Sequence, residues 1–137
     1  MTTESDPAAA NIDICRQVFA NWSSRPHDNE PLFHADAVLV DIVAGTHEGW
    51  PAMEAFFAKG LGYWQDMRFE LHEFWSNDSG VACSWTMTAV VPDDRFGEDK
   101  RGRTWSAPGM SSLTIVDGKV TREADHWNAG SIAASLR

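Results

Sequence analysis

The sequence predicts an α+β fold, with helices first and a run of antiparallel strands after them, an order that packs helices on one face of a sheet. Three observations carry the prediction. Apolar residues recur at helical spacing through residues 7–23 and again from Pro51 to Trp64. From residue 67 to residue 127 the period changes to two. The strand candidates are divided by turn chemistry, of which Asp117-Gly118 is the sharpest two-residue hairpin signal. Such a sheet can curve around the helices into a cone with an apolar interior.

Each element has its own justification. Asp6-Pro7 supplies an N-cap and a proline at the first helical position, and Ile12, Cys15, Val18, Phe19 and Trp22 form the apolar stripe of a helix over 7–23. Residues 26–36 read as loop with one short helical turn around Pro31–His34. The β-branched and aliphatic run 37–43 is a strand, and Gly45–Gly49 is a turn or short hairpin arm. Pro51 opens a second helix, marked by Met53, Phe56, Phe57, Leu61 and Trp64 and closed near Gly60–Gly62. Strands follow over 67–75, 80–91, 103–116 and 119–127. Pro108, which lacks an N–H for a ladder, hints at a bulge in the third of these. The charged segment Pro92–Gly102 reads as a solvated hairpin tip, and Ser131–Leu136 as a short closing helix.

The 137 residues form one domain, 7–137, behind a polar lead, 1–6, that is expected to be disordered. With 11 basic against 20 acidic residues the net charge is −9, which repels phosphate backbones and argues against nucleic acid, anionic membrane or a nucleotide-like substrate. No apolar run approaches the ~20 residues that span a bilayer, and the expected location is the cytoplasm. Cys15 and Cys83 lack metal spacing and sit among apolar neighbours, so buried free thiols are expected. There is no His-x-x-x-His, no clustered carboxylate motif, no phosphate-cradling glycine loop and no Gly-x-Ser-x-Gly. Neither a metal nor any other cofactor is expected.

The chemistry-bearing candidates are Asp41, inside Val38-Leu39-Val40-Asp41-Ile42-Val43, and Asp125, in Ala124-Asp125-His126-Trp127. A carboxyl among β-branched side chains and indoles loses hydration and its pKa rises toward neutrality, where it can take up and return a proton. Sharing one cavity, the two would also repel, which would divide base and acid roles between them. The alternatives are a turn cap at Ala44-Gly45-Thr46 for Asp41 and a salt bridge to Arg103 or Arg122 for Asp125. Strand alternation puts Thr121, Glu123, Asp125 and Trp127 on one face, and His126 on the other. Seven Trp and seven Phe stand against one Tyr; some of those rings must fill the core, and a surplus could line a pocket. Trp85, Met87, Trp105 and Trp127 are the expected apolar wall, with Leu39 and Phe57 beside them. His47 and His72 could approach its mouth, although surface or interface positions are the simpler reading for the histidines.

The element order, with Gly49-Trp50-Pro51-Ala52-Met53-Glu54-Ala55-Phe56-Phe57 opening the second helix and Asp117-Gly118-Lys119-Val120 turning into the last strand, resembles the SnoaL-like branch of the nuclear transport factor 2-like superfamily. The likeness spans roughly residues 10–135. It implies a cystatin-like α+β barrel, a small hydrophobic substrate and a homodimer formed through the outer sheet face. Asp36-Ala37-Val38-Leu39-Val40-Asp41 is similar to the segment that ends in the catalytic base of ketosteroid isomerases, and Asp125 to the last-strand aspartate used by epoxide hydrolases and SnoaL-type polyketide cyclases. Two features of those relatives are missing. Trp85 and Met87 stand where the epoxide hydrolases have Arg-x-Asp, and the first helix lacks the oxyanion tyrosine of the isomerases. The resemblance therefore implies a cyclase-type, cofactor-independent acid–base enzyme with Asp125 or Asp41 as base. A non-catalytic binding or dimerisation domain is the alternative of a different class, and an epoxide hydrolase with a rebuilt acid is the third.

Overall fold

Asp6 accepts a hydrogen bond from the Ala8 amide at 3.1 Å and Pro7 takes the first helical position, so helix α1 runs Pro7–Trp22. The computed structural model describes residues 6–137, and the disordered lead expected for 1–6 lies outside them apart from Asp6. Helix α1 buries Cys15, Val18, Phe19 and Trp22, together with Asn11, whose amide donates to the Asn77 carbonyl at 2.9 Å. A 3-10 helix, Pro26–Leu32, occupies the expected loop; its buried Asn29 donates to the Val18 carbonyl at 3.0 Å and pins the segment to α1.

Strand β1 runs Phe33–Asp41, starting earlier and ending sooner than the apolar run suggests. It starts early because Phe33 is buried against Trp22 and pairs with Val120, and it ends at Asp41 because Ile42 and Val43 enter a turn, where both are exposed. Strand β2, Gly45–Glu48, is the hairpin arm, and α2 follows over Trp50–Tyr63. The remaining strands are β3, Gln65–Asn77; β4, Gly80–Val90; β5, Thr104–Val116; and β6, Lys119–Trp127; α3, Gly130–Ser135, closes the chain. At the β5–β6 turn Asp117 and Gly118 both take positive φ, 51° and 78°, the conformation this dipeptide favours.

The six strands form one curved, unclosed sheet in the order β2-β1-β6-β5-β4-β3. It is mixed: β1 and β6 run parallel, whereas every other pair is antiparallel, as expected. The chain returns from β5 to lay its last strand beside its first, and this parallel junction is invisible to a reading of local periodicity. Register shifts in β3 between Gln65 and Arg68 and between Leu71 and Phe74 add curvature.

No bulge occurs at Pro108, which keeps regular pairing with Thr86. The amide of Ser106, two residues earlier, points away from β4 to the Ser135 hydroxyl (3.1 Å). Pro108 has the same parity, so its missing N–H falls on the side where β6 has already ended, and no ladder bond is lost. The Pro92–Gly102 tip is not simply solvated. Arg95 folds back to donate to the Tyr63 carbonyl at 3.0 Å, its guanidinium lies 3.6 Å from the Tyr63 ring centroid, and Phe96 stacks on Trp64.

Helix α1 packs on β3 and β4, and α2 packs on β1, β2 and β3, all on the inner face of the sheet. Next to α1 the interior is solid. Trp22 stacks on Phe57 with centroids 3.6 Å apart and planes 6° apart, flanked by Phe33 and Trp50. Cys15 and Cys83 are buried free thiols in contact with each other, and that contact, ahead of burial itself, pushes the Cys15 thiol up. Beyond Phe57 the interior is hollow.

Candidate active site

The parallel junction brings the two aspartates together. Asp41 and Asp125 are register partners on β1 and β6, strands that lie about 4.8 Å apart by sheet geometry, and the Ile42 amide donates to the Asp125 carbonyl at 3.1 Å. Both residues are 6% exposed, and both line a cavity of about 210 Å³. Its sheet side carries Met67, Phe69, Trp85, Met87 and Trp127, and its helix side Phe56, Phe57, Gly60 and Trp64. Ala44 completes the rim. Apart from the two carboxyls, the polar atoms of this wall are indole N–H groups and backbone.

Asp125 sits inside its strand, two residues before the end of β6. Its Oδ1 accepts a hydrogen bond from the Ser111 hydroxyl at 2.6 Å, and Ser111 Oγ in turn accepts from Trp85 Nε1 at 2.8 Å. The Trp85 ring lies across Gly109, where a Cβ would overlap it. Burial pushes the Asp125 carboxyl up to about 6; the neighbouring Glu123 carboxyl and the hydrogen bond from Ser111 oppose the rise, the charge of Asp41 adds to it, and His126 again opposes it. Repulsion between the aspartates, expected as the divider of roles, is thus smaller than desolvation. No ion pair involves Asp125 among the described residues: Arg103 donates to the Leu136 carbonyl, and Arg122 is exposed on the other face.

Asp41 ends its strand, and both sequence readings of it meet in one conformation. Oδ1 accepts from the amides of Val43 (2.8 Å) and Ala44 (3.0 Å), capping the turn, while Trp127 Nε1 reaches both carboxylate oxygens at 3.2 and 3.3 Å from the cavity side.

Of the wall residues read from sequence, Phe57, Trp85, Met87 and Trp127 line the cavity. Leu39 and Trp105 do not: both are fully buried in the solid core, and Trp105 packs edge-on against Trp64 behind the wall. Facing inward does not distinguish lining from filling. His72 is exposed and hydrogen-bonded to Thr86, away from the mouth, and His126 is exposed. His47 stacks on Phe56 in an open groove that shares Ala44, Phe56 and Gly60 with the cavity. Among the described residues no cluster of three His, Cys, Asp or Glu side chains could hold a metal, and no helix is long and apolar enough to cross a membrane.

Two polar residues of the site are absent from the sequence candidates. Glu123 was placed on the Asp125 face by alternation, yet as an acidic residue in a charged strand it carries no further signal. It is fully buried, and its Oε1 accepts from Trp22 Nε1 at 3.0 Å. Ser111 is set opposite Asp125 by a register shift between Thr114 and Ile115. Counting back from the Asp117-Gly118 turn without that shift would put Met110 there.

A helix-filled curved sheet with an aromatic hollow and carboxyls on its central strands defines a class of small α+β pocket proteins. The SnoaL-like domain model matches residues 16–123, and the chain belongs to the SnoaL-like domain family. Solved structures agree on the fold. IdmH from Streptomyces antibioticus, provisionally assigned as a polyketide cyclase, superposes with a TM-score of 0.82 at 14% identity, covering 92% of this chain and 97% of that one. A SnoaL-like protein from Jannaschia sp. CCS1, also provisionally a polyketide cyclase, gives 0.81 at 13% identity over 99% and 97% of the two chains. An LEH-like epoxide hydrolase from M. tuberculosis gives 0.78 at 11% identity over 97% and 89%. No curated protein sequence matches the chain.

Proposed function

We propose that this protein is a cofactor-independent acid–base enzyme acting on a hydrophobic, carbonyl-containing small molecule. The observation that carries the reading is the seat of Asp125: a carboxyl poised near pH 6 by burial, in an aromatic cavity beside a second carboxyl. Asp125 as carboxylate takes a proton from the carbon next to the substrate carbonyl. The C–H electron pair becomes the enolate, which attacks an electrophilic carbon of the same molecule, expels a leaving group or is reprotonated. Asp125, now the acid, returns the proton at the product. Asp41 is the second polar group within reach, held by Trp127 and the turn amides. The provisional polyketide cyclases among the structures of similar fold support a cyclisation among these outcomes. Epoxide hydrolysis would need an acid on the β4 wall, where Trp85 and Met87 stand.

The test is exchange of the α-protons of a bicyclic aryl ketone, β-tetralone, followed by NMR in heavy water. Wild-type protein should catalyse the exchange, and Asp125→Asn should slow it by ~10²–10⁴, the range for a lost general base. Unchanged exchange in both Asp125→Asn and Asp41→Asn would overturn the assignment. Binding of the ketone without exchange in the wild type would favour the binding-domain reading.

A further inference from the structure

Glu123 is a carboxyl with no solvent, no cation and no place in the proposed chemistry. It is 0% exposed, sits outside the cavity and two residues before Asp125 on the same strand face, and makes no ion pair among the described residues. Oε1 accepts the indole N–H of Trp22. Oε2 receives no N–H or O–H from any described residue, and the polar group in its reach is the carboxyl of Asp125. Two buried acceptor-only carboxylates in contact would have nothing between them. One proton resolves the geometry, turning an orphaned oxygen into a hydroxyl donor aimed at its neighbour.

We propose that Glu123 is held as the neutral acid and donates its proton in a hydrogen bond to the carboxylate of Asp125, making Glu123 the positioning residue of the base. The inference rests on Asp125 being the base, as proposed above. The proton belongs on Glu123 rather than Asp125 because Asp125 already has the Ser111 hydroxyl and a face on the cavity, whereas Glu123 has one indole and no exposed surface. Burial, first among the causes, and then the charge and hydrogen bond of Asp125 push Glu123 well above the usual carboxylate range. The other titratable groups around the pair are Asp41 on β1, Cys83 on β4, Cys15 on α1 and the exposed His126. None of these is a fixed cation that would favour a second negative charge.

A residue argued only from packing would predict loss of stability on replacement. The neutral donor predicts a sign as well. In ¹³C-carboxyl-labelled protein, Glu123→Leu removes a donor to the ionised form of Asp125, and its titration midpoint should rise by about 1–2 pH units. Glu123→Gln keeps an N–H donor and an acceptor for Trp22, so the midpoint should stay close to wild type. If Glu123 is instead ionised, both variants remove a negative charge and both midpoints should fall, which would overturn the proposal. Should Glu123→Leu fail to fold, the wild type and Glu123→Gln still decide it. The carboxyl resonance that disappears in Glu123→Gln must have the chemical shift of a protonated acid at neutral pH, and an ionised shift would overturn the proposal. These readouts need no turnover, so failure of the catalytic reading, seen as exchange unaffected by Asp125→Asn, is separately visible.

Discussion

Asp41 and Asp125 are the same residue type on neighbouring positions of adjacent strands, with equal exposure, and the protein treats them differently. Asp41 ends its strand, so the free amides of the following turn converge on it, and an indole adds to them. Asp125 lies within its strand, where backbone amides are spent on the ladder, and side chains must serve instead: one hydroxyl and, in our proposal, one neutral acid. A strand end offers free N–H groups to a side chain there, whereas inside a strand the amides belong to the ladder and burial governs the Asp125 titration.

The contrast can be broken experimentally, and the largest effect should come from Asp125. Asp125→Asn should cost ~10²–10⁴ in ketone exchange, and Asp41→Asn should cost less, because Asn keeps the oxygen that caps the turn; equal losses measured by NMR would erase the distinction. Stability should follow pH in a fixed direction. The Asp125 carboxyl moves from 3.8 to about 6 on folding, so its contribution is fully present below pH 3.8 and is lost as pH rises through 6. The span is roughly 3 kcal/mol, and Asp125→Asn should therefore make the fall of the denaturant midpoint between pH 4 and 6 shallower than in wild type.

Gly109→Ala attacks the Asp125 side alone. The added methyl must displace Trp85, whose N–H holds Ser111, and overpacking of this kind costs about 1–3 kcal/mol in a urea titration. On the other side Asp41→Ala removes the turn cap and should cost about 1 kcal/mol in the same assay, with the Asp125 titration midpoint lowered because a neighbouring negative charge is gone. Smallest is Ser111→Ala: the acid limb of the exchange rate against pH should move up by about 1 unit, since the ionised base loses a donor.

Much of the fold was legible because its signals are local. The Asp6-Pro7 cap, the stripe of α1 and the positive-φ Asp117-Gly118 turn are each decided within a few residues. The parallel β1–β6 junction was not, since it depends on where a chain returns after some eighty residues of other structure. In the site, the apolar surroundings of Asp41 and Asp125 marked both acids. Ser111 stayed hidden because one extra residue in β6 changes who faces whom, letting Val120 and Glu123 both point inward. Leu39 and Trp105 show the complementary limit: alternation assigns a face, and only the packed volume decides whether that face meets a wall or a space.

The seven tryptophans divide by environment, which makes the molecule its own optical probe. Trp64, Trp85 and Trp127 border the hollow, Trp22, Trp50 and Trp105 are sealed away from it, and Trp75 is 51% exposed. A flat occupant would lie against three emitters while leaving the sealed ones in place, so quenching of part of the intrinsic fluorescence, without a shift in the remainder, would report occupancy with no label attached.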